Sequence, residues 1–238
     1  MRRWRNTLSK KYRHELKFII NSTQAEILKY RLSLIMDVDT NSKNDDNTYF
    51  IRSLYFDDVF HNAYYEKVDG LEKREKYRIR IYNFEDSFIR LERKEKNRDL
   101  THKEQTSITR EECMHFINGD FDLIDTSRSK LLDDFVLKNK LNQIRADVIV
   151  DYRRLAYTYP VEDVRVTFDE NIKSGRFNYD IFDKDILTQD VLEPNESVLE
   201  VKFNNGIPKH IADVIMTIPS IRLAVSKFAL CKEQKEVI

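Results

Sequence analysis

Arginines and lysines alternate with apolar residues in several stretches of the sequence, and some of these stretches also carry a carboxylate. Side chains two residues apart share one face of a β-strand, so the two guanidinium groups of Arg78-x-Arg80 would meet the same ligand. Arginine forks match phosphate oxygens in pairs, and lysines supply point charges, so the pattern indicates binding of a phosphate-rich anion. It recurs in Glu15-x-Lys17, Arg78-x-Arg80, Glu92-x-Lys94, Tyr152-x-Arg154, Arg165-x-Thr167-x-Asp169 and Glu200-x-Lys202.

The ordinary interpretation of one such strand is a polar face turned to solvent on a half-buried sheet. Recurrence in many strands changes that interpretation, because a sheet that closes on itself brings the polar faces together. Like charges about 4–6 Å apart repel each other by several kcal/mol at intermediate dielectric. The few carboxylates in the pattern do not neutralise the cations, so we expect a bound polyanion to do so.

The elements that must position these side chains are about eight long strands, joined mostly by short turns or single helices. We therefore predict an α+β fold, a closed antiparallel eight-stranded β-tunnel decorated by helices, and not a doubly wound sheet. The predicted strands cover residues 12–20, 48–56, 74–84, 86–96, 101–109, 146–159, 164–171 and 192–203. The predicted helices cover 24–36 after a Ser22-Thr23 cap, 57–69 as a helix or turn, 110–143, 208–216 and a last segment from about Ser226, with a polar loop over 37–47.

Length and composition limit the classes of protein to consider. The 238 residues suit one domain, which we place at 1–238 with a core of about 12–232. Lys and Arg total 41, as do Asp and Glu, so the chain is not a simple polybasic protein and no nucleic-acid partner is expected. No apolar run approaches the ~20 residues that span a bilayer, and the N-terminus lacks a signal-peptide apolar region. These features predict a cytoplasmic protein.

Histidine and cysteine contribute no recognisable catalytic or metal-binding set. Cys113 and Cys231 are far apart, with no His or Cys at metal spacing, and are predicted to be plain buried thiols. The histidines are predicted to be structural or surface residues, since none forms an i, i+4 pair. They are His14, His61, His102, His115 and His210.

Six segments of the chain, in this order and spacing, resemble the VTC (vacuolar transporter chaperone) polyphosphate polymerase domain. That family belongs to the CYTH-like triphosphate tunnel metalloenzyme superfamily, and the resemblance runs from about Tyr12 to Lys232. The segments are Tyr12-Arg13-His14-Glu15-Leu16-Lys17-Phe18, Ser53-Leu54-Tyr55-Phe56-Asp57-Asp58, Tyr77-Arg78-Ile79-Arg80-Ile81-Tyr82, Leu91-Glu92-Arg93-Lys94, Val198-Leu199-Glu200-Val201-Lys202-Phe203 and Ser226-Lys227-Phe228.

The resemblance implies a basic tunnel in which the paired arginines hold a triphosphate. It implies a Mn²⁺ or Mg²⁺ cofactor on Glu200, with Glu15, Glu92 and Asp169 as further candidate ligands. The catalytic residues it implies are Arg78, Arg80, Lys94, Arg154, Arg165 and Lys202. The substrate-binding residues it implies are Lys17, Arg78, Arg80, Lys94, Lys103, Tyr152, Arg154, Arg165, Lys202, Ser226 and Lys227.

Two stretches depart from the superfamily's patterns. The triphosphatases carry Glu-x-Glu-x-Lys in the first strand, whereas this chain has Arg13-His14-Glu15-Leu16-Lys17, with one glutamate only. Fewer carboxylates mean fewer ligands for hard cations and weaker activation of a hydrolytic water, which favours transfer to phosphate over hydrolysis. A lysine that eukaryotic members carry just before the Ser-Lys pair is also missing, because Arg222-Leu223-Ala224-Val225 precedes Ser226.

Three functions stay open. The first is a metal-dependent polyphosphate polymerase that transfers the terminal phosphoryl group of ATP or another nucleoside triphosphate to a growing polyphosphate chain or pyrophosphate. The second is an inorganic or nucleoside triphosphatase in the same tunnel, and the third is a non-catalytic module that binds polyphosphate. Retention of Glu200 and the paired arginines favours catalysis. A membrane partner acting in trans is compatible with all three, and the sequence does not identify the acceptor, the metal or the oligomeric state.

Overall fold

The computed structural model describes residues 12–40, 46–176, 178–218 and 225–233. Within these residues, the strands are β1 (Arg13–Asn21), β2 (Asp37–Val38), β3 (Thr48–Asp57), β4 (Lys73–Tyr82), β5 (Glu85–Asn97), β6 (Leu100–Ser107), β7 (Arg145–Tyr159), β8 (Val164–Gly175), β9 (Gln189–Asp190) and β10 (Glu196–Phe203). The helices are α1 (Ser22–Ser33), α2 (Asn62–Val68), α3 (Arg110–Asn118), α4 (Lys130–Asn142), α5 (Lys209–Met216) and α6 (Lys227–Glu233).

Eight of these strands close into a ring in which every pairing is antiparallel. The order around the ring is β7, β3, β4, β5, β6, β1, β10 and β8, and β8 pairs back with β7. The short strands β2 and β9 pair with β7 and β8 as flanking additions. The predicted α+β fold with a closed antiparallel eight-stranded tunnel is confirmed.

The alternation along β4 explains why its cations point into the ring. Ile79 and Ile81 are fully buried in a cluster outside the ring, where they pack with Phe116 of α3 and Phe135 of α4. Burying one such side chain contributes roughly 1.5–3 kcal/mol, and a slip of one residue would turn every apolar side chain of the strand away from its helices. Packing outside the ring therefore places the alternate residues of β4 inside it.

A two-residue turn joins β4 to β5 and fixes their register. Asn83 and Phe84 both have positive φ, at 50° and 59°, as a type I′ hairpin turn requires. The Asn83 side chain accepts a hydrogen bond from the backbone N–H of Phe50 at 2.9 Å, and the Phe84 ring stacks on Phe50 with ring centroids 4.2 Å apart. These contacts hold two non-glycine residues in the left-handed region, and β4 ends at Tyr82, two residues before the predicted end at 84.

Several predicted boundaries are wrong. The predicted helix over 110–143 is two helices, because Gly119 ends α3 with φ of 87° and a short 3-10 turn over Phe121–Leu123 follows. The predicted Ser22-Thr23 cap belongs to α1 itself, since Asn21 caps the helix in a reciprocal pair with Gln24. Part of the predicted loop 37–47 is β2, and the strand predicted from 192 begins at Glu196, after a turn containing Pro194.

Helix α6 packs on the tunnel side of the sheet, and the ion pairs of Lys232 stabilise this position. Phe228 and Cys231 are buried in a cluster with Ile51 of β3 and Val150 of β7. The Nζ atom of Lys232 lies 2.8 Å from both carboxylate oxygens of Asp147, 3.2 Å from Asp57 Oδ2 and 2.7 Å from His61 Nδ1. Cys113 and Cys231 are both free and buried, as predicted.

We expect Lys232→Met to destabilise the protein by about 3–5 kcal/mol, because it leaves the buried carboxylate of Asp57 and the half-buried carboxylate of Asp147 without their shared cation. The midpoint of urea unfolding measures the effect. Lys232→Arg keeps the charge and serves as the matched control, with a smaller expected loss. An unchanged midpoint in the methionine variant would contradict the assignment of Lys232 as the anchor of α6.

Candidate functional site

Two connected cavities lie inside the ring. The inner chamber has a volume of about 90 Å³ and is lined by Arg78 and Arg80 of β4, Tyr152 and Arg154 of β7, and Glu200 of β10. The outer cavity has a volume of about 350 Å³, and its lining includes Lys67 of α2, Arg74 of β4 and Lys96 of β5. Four residues line both cavities and form the neck between them, namely Lys17, Lys76, Lys94 and Ser226.

The paired arginines of β4 are held by different kinds of partner. Arg78 donates from Nε to Glu92 at 2.7 Å and from Nη1 to the Tyr55 hydroxyl at 2.7 Å. Arg80 donates to the Ser53 hydroxyl at 3.1 Å and to the Tyr152 hydroxyl at 2.9 Å, so its ligands are neutral. Both guanidinium groups are therefore oriented before any ligand arrives, and Arg80 keeps its full charge for that ligand.

A second cluster of charges lies across the chamber. Arg154 makes a bidentate pair with Asp169, at 2.6 and 2.8 Å, and Lys227 of α6 also contacts Asp169. Burial favours the neutral form of Asp169, but the charges of Arg154 and Lys227 outweigh it and lower the pKa of this carboxyl to about 2. Asp169 is thus an ionised group whose oxygens are already engaged by two cations.

Glu15 of β1 and Glu200 of β10 are diagonal neighbours at the neck, since Glu15 pairs with Lys202 and Lys17 pairs with Glu200. Their carboxylates face each other closely enough to interact. Lys94 lies 2.6 Å from Glu15, and Lys202 lies 2.9 Å from Glu200. Burial and the mutual repulsion of the two carboxylates favour protonation of Glu15, but Lys17 and Lys94 keep its pKa below the ordinary value. The pKa of Glu200 also lies well below its ordinary value, since Lys202 and Lys17 outweigh burial.

These two ionised carboxylates are the donors in the tunnel that suit a hard divalent cation. Mg²⁺ is commonly bound by one or two carboxylates, with the rest of its shell supplied by water and substrate phosphate. Glu92 and Asp169 are each bound by an arginine, with Arg78 and Arg154 at 2.6 Å, whereas the cations nearest to Glu15 and Glu200 are lysines, at 2.6 Å and 2.9 Å. Across the described ranges, no three His, Cys, Asp or Glu side chains form a group that could hold a metal ion.

The structure brings most of the predicted site residues to one place. Glu15, Lys17, Arg78, Arg80, Lys94, Tyr152, Arg154, Glu200, Lys202, Ser226 and Lys227 line one or both cavities. Lys103 is exposed and contacts Glu92 and Gln105. Arg165 forms an ion pair with Asp39 at 2.5 Å and donates a hydrogen bond to the Tyr49 hydroxyl at 2.9 Å. None of the five histidines lines either cavity.

The prediction from sequence missed four cations and one hydroxyl of the site. Arg74, Lys76 and Lys96 continue the alternation of β4 and β5 towards the outer cavity, so the same signal could have found them. Lys67 lies on α2 and Tyr55 on β3, and neither belongs to an alternating basic run. The stretch Arg222-Leu223-Ala224-Val225, which lacks the family lysine, lies outside the described residues except for Val225.

Two of the three lysines at the neck, Lys76 and Lys94, have lowered pKa values, whereas Glu15 and Glu200 outweigh burial and raise the pKa of Lys17. Burial, together with the charge of Lys17, lowers the pKa of Lys94 to about 7, although Glu15 acts in the opposite direction. Burial and the charges of Lys17, Lys67, Arg74 and Lys94 lower the pKa of Lys76 well below its usual range. A bound anion would reverse these shifts, because it stabilises the protonated amines.

We expect tripolyphosphate binding by the metal-free protein to weaken several-fold as pH rises from about 6 to 8. Lys94 is protonated below its pKa of about 7 and neutral above it, so the neck loses one positive charge over this range. Titration calorimetry with a chelator present measures the affinity at each pH. Lys94→Arg stays charged throughout and controls for the titration of the ligand, so identical pH profiles for the two proteins would contradict the prediction.

Fold and site together define an antiparallel tunnel whose interior is lined by paired arginines and a lysine neck. The VTC domain family model matches residues 12–234, so the chain belongs to the VTC domain family. No helix in the described part of the chain is both long and apolar enough to cross a membrane.

Solved structures share the fold at low sequence identity. A putative adenylyl cyclase from Hippeastrum, described with a dominant triphosphatase activity, superposes with a TM-score of 0.57 at 14% identity, over 93% of this chain and 94% of that one. A putative adenylate cyclase from Bacillus halodurans superposes with a TM-score of 0.50 at 12% identity, over 88% and 89%. No curated protein sequence matches significantly.

Proposed function

We propose that this protein is a polyphosphate polymerase-like phosphotransferase. It binds ATP or another nucleoside triphosphate in the tunnel and transfers the terminal phosphoryl group to a polyphosphate chain or pyrophosphate. The observation that carries the proposal is the lysine neck, where Lys17, Lys76 and Lys94 join two cavities beside the facing carboxylates of Glu15 and Glu200. A cytoplasmic location is part of the proposal and rests on the sequence alone.

In this proposal Arg78 and Arg80 hold the phosphates of the donor, and the ammonium groups at the neck neutralise charge on the group being transferred. Catalysis of phosphoryl transfer consists largely of such positioning and charge stabilisation. The acceptor is itself a phosphate and is ionised at neutral pH, so it needs no general base. The absence of histidine from both cavities is consistent with that requirement.

Glu15 and Glu200 would hold a Mn²⁺ or Mg²⁺ ion, and Glu92 and Asp169 stay with their arginine and lysine partners. When bound, the ion would supply charge neutralisation at phosphate oxygens. Lys17 lies 3.1 Å from Glu15 and keeps that carboxylate oriented towards the neck. The remaining positive charge around the neck comes from the chain's own lysines.

The decisive experiment is an assay of the purified protein with ATP and Mn²⁺, with products separated by gel and stained with a polyphosphate dye. Synthesis of a phosphate ladder is the expected result. Release of orthophosphate without polymer would replace the proposal with hydrolysis. Tight triphosphate binding without turnover would replace it with a binding module.

Hydrolysis is the second candidate, and one observation supports it. The fold neighbour from Hippeastrum is described with triphosphatase activity, and the tunnel here also places two carboxylates against each other. Transfer is favoured over it because β1 supplies one glutamate, Glu15, where the triphosphatases have two, so fewer oxygens are left to activate water.

A further inference from the structure

Lys76 of β4 is a half-buried lysine that no carboxylate balances. Its Nζ atom lies 3.4 Å from the Ser226 hydroxyl and over the Phe228 ring, 4.2 Å from the ring centroid. Across the described ranges, no carboxylate oxygen lies within 4 Å of this amine. A hydroxyl and an aromatic ring stabilise an ammonium group less than an ionised carboxylate does, so Lys76 gains little from being protonated.

The other two lysines of the neck differ from Lys76 in this respect. Lys17 lies 3.1 Å from Glu15, and Lys94 lies 2.6 Å from the same carboxylate. Lys94 is also the cross-strand partner of Lys76 in the pairing of β4 with β5. The three amines therefore share one neck, but only two of them share its carboxylate.

The surroundings of Lys76 favour a free amine. Burial disfavours the ammonium form, and four cations from four elements act in the same direction, namely Lys17 of β1, Lys67 of α2, Arg74 of β4 and Lys94 of β5. The pKa of Lys76 therefore lies well below its usual range, and more of it carries a free lone pair near neutral pH than an ordinary lysine does. Desolvated lysines beside other cations are the ones that act as nucleophiles.

We propose that Lys76 is a site of covalent acylation and that the reagents it selects are small acyl phosphates. An acyl phosphate carries an anionic phosphate, which the cations around the neck attract, and a carbonyl carbon, which a free amine attacks. An uncharged acylating agent lacks the first of these properties. The proposal goes beyond the phosphoryl transfer proposed above and does not depend on it.

The reaction balances without a further reactant. The Lys76 nitrogen attacks the carbonyl carbon and forms an amide bond, while the bond from that carbon to the phosphate oxygen breaks. Inorganic phosphate leaves with the electron pair of the broken bond, and one proton passes from the attacking nitrogen to the phosphate. Lys17 and Arg74 line the same cavity and would stabilise the negative charge of the departing phosphate.

The cavities give such a reagent access to the amine. Lys76 lines both of them, and the outer cavity has a volume of about 350 Å³, which accommodates a molecule as small as acetyl phosphate. Val225 lines the outer cavity and Phe228 the inner chamber, so apolar surface for a short acyl group lies next to the cations that attract the phosphate.

Acylation of Lys76 would weaken phosphate binding. The free amine takes up a proton when an anion binds beside it, whereas an amide cannot, so the neck would lose one cation permanently. Loss of one charge-assisted hydrogen bond should weaken tripolyphosphate binding about tenfold. The modification would thus make phosphate binding depend on the supply of acyl phosphate.

The test is incubation of the full chain with acetyl phosphate, followed by tandem mass spectrometry that locates each acetyl group. Lys76 should be acetylated at least about ten times faster than Lys73, which is exposed on the same strand, because each unit of lowered pKa raises the fraction of free amine about tenfold. Lys17 and Lys94 should be acetylated more slowly than Lys76, since both pair with Glu15.

A second reagent and three variants serve as controls. N-hydroxysuccinimidyl acetate delivers the same acetyl group without a phosphate, and its preference for Lys76 over Lys73 should be weaker than that of acetyl phosphate. Lys73→Arg should leave the labelling of Lys76 unchanged, and Lys76→Arg should lose that label alone. Lys76→Gln carries a neutral amide, so it should bind tripolyphosphate as weakly as the acetylated wild-type protein, measured by titration calorimetry.

Three results would overturn the proposal. Acetylation of Lys73 as fast as Lys76 would show that exposure alone decides the site. Equal labelling of Lys17, Lys76 and Lys94 would contradict the role of the missing carboxylate. An equal preference for Lys76 with both reagents would exclude acyl phosphates as the selected class. All three results come from the wild-type chain, so misfolding of a variant cannot produce them, and a failure to synthesise polyphosphate would refute the proposed function without changing any of them.

Discussion

Arg78→Ala combined with Arg80→Ala is expected to abolish measurable tripolyphosphate binding. Both guanidinium groups line the inner chamber and are held in place by Glu92, Tyr55, Ser53 and Tyr152. A charge-assisted hydrogen bond contributes about 1.5–3 kcal/mol, so losing one from each arginine weakens binding roughly 10²- to 10⁴-fold. Titration calorimetry at fixed salt measures the loss.

Two controls separate lost binding from lost folding. Arg78→Lys with Arg80→Lys keeps both charges but removes the forked geometry, so its affinity should lie between those of the wild type and the alanine variant. Arg31→Ala removes an exposed arginine of α1 and should change nothing. A folded alanine variant that binds tripolyphosphate within about threefold of the wild type would refute the assignment of the inner chamber as the phosphate site.

Glu200→Gln should separate turnover from binding. The substitution keeps the shape of the side chain but removes one of the two facing carboxylates, so we expect the metal concentration for half-maximal activity to rise. The loss of transition-state charge neutralisation is worth several kcal/mol, so kcat should fall about 100-fold or more. Tripolyphosphate affinity should hold or increase, because Lys202 and Lys227 lose a carboxylate that competes for them.

Glu92→Gln is the matched control for Glu200→Gln, since both residues are buried carboxylates of the tunnel wall. Glu92 contacts Arg78 and Lys103 and not the facing pair, so its loss should alter phosphate affinity while leaving the metal dependence of activity unchanged. If both variants shifted the metal dependence equally, the assignment of Glu15 and Glu200 as the metal-binding pair would fail.

The alternation in β4 and β5 predicted a converging basic face, and the family resemblance named the residues that line it. Apolar residues such as Ile79 and Leu91 must pack outward against helices, so Arg78 and Lys94 have to point inward once the sheet closes. The closed antiparallel fold followed from the number of long strands and the short connections between them. Local patterns of this kind are set by neighbours in sequence, which is why they could be interpreted without a structure.

The balance of charge could not be predicted in the same way. The prediction that the carboxylates in the pattern are too few to neutralise the cations agrees with Asp169, a single carboxylate that engages both Arg154 and Lys227. Lys227 comes from a helix far along the chain, and Lys67 from a short helix without alternation. Which carboxylate meets which cation depends on how β1, β8, β10 and α6 come together, and no local spacing encodes that.

The position of β1 in the ring has a consequence for the order of events in folding. β1 pairs with β10 from His14 to Asn21 and with β6 at its start. The first described strand therefore cannot complete its pairing until one of the last strands has been made. Contacts between distant segments form slowly, and a chain made from its N-terminus holds β1 without its main partner during most of synthesis. The facing pair of Glu15 and Glu200 does not exist until β10 has emerged. A ribosome-bound chain that ends before Glu196 should therefore expose unpaired basic strands without a phosphate site, and polyphosphate binding should begin only when the ring closes.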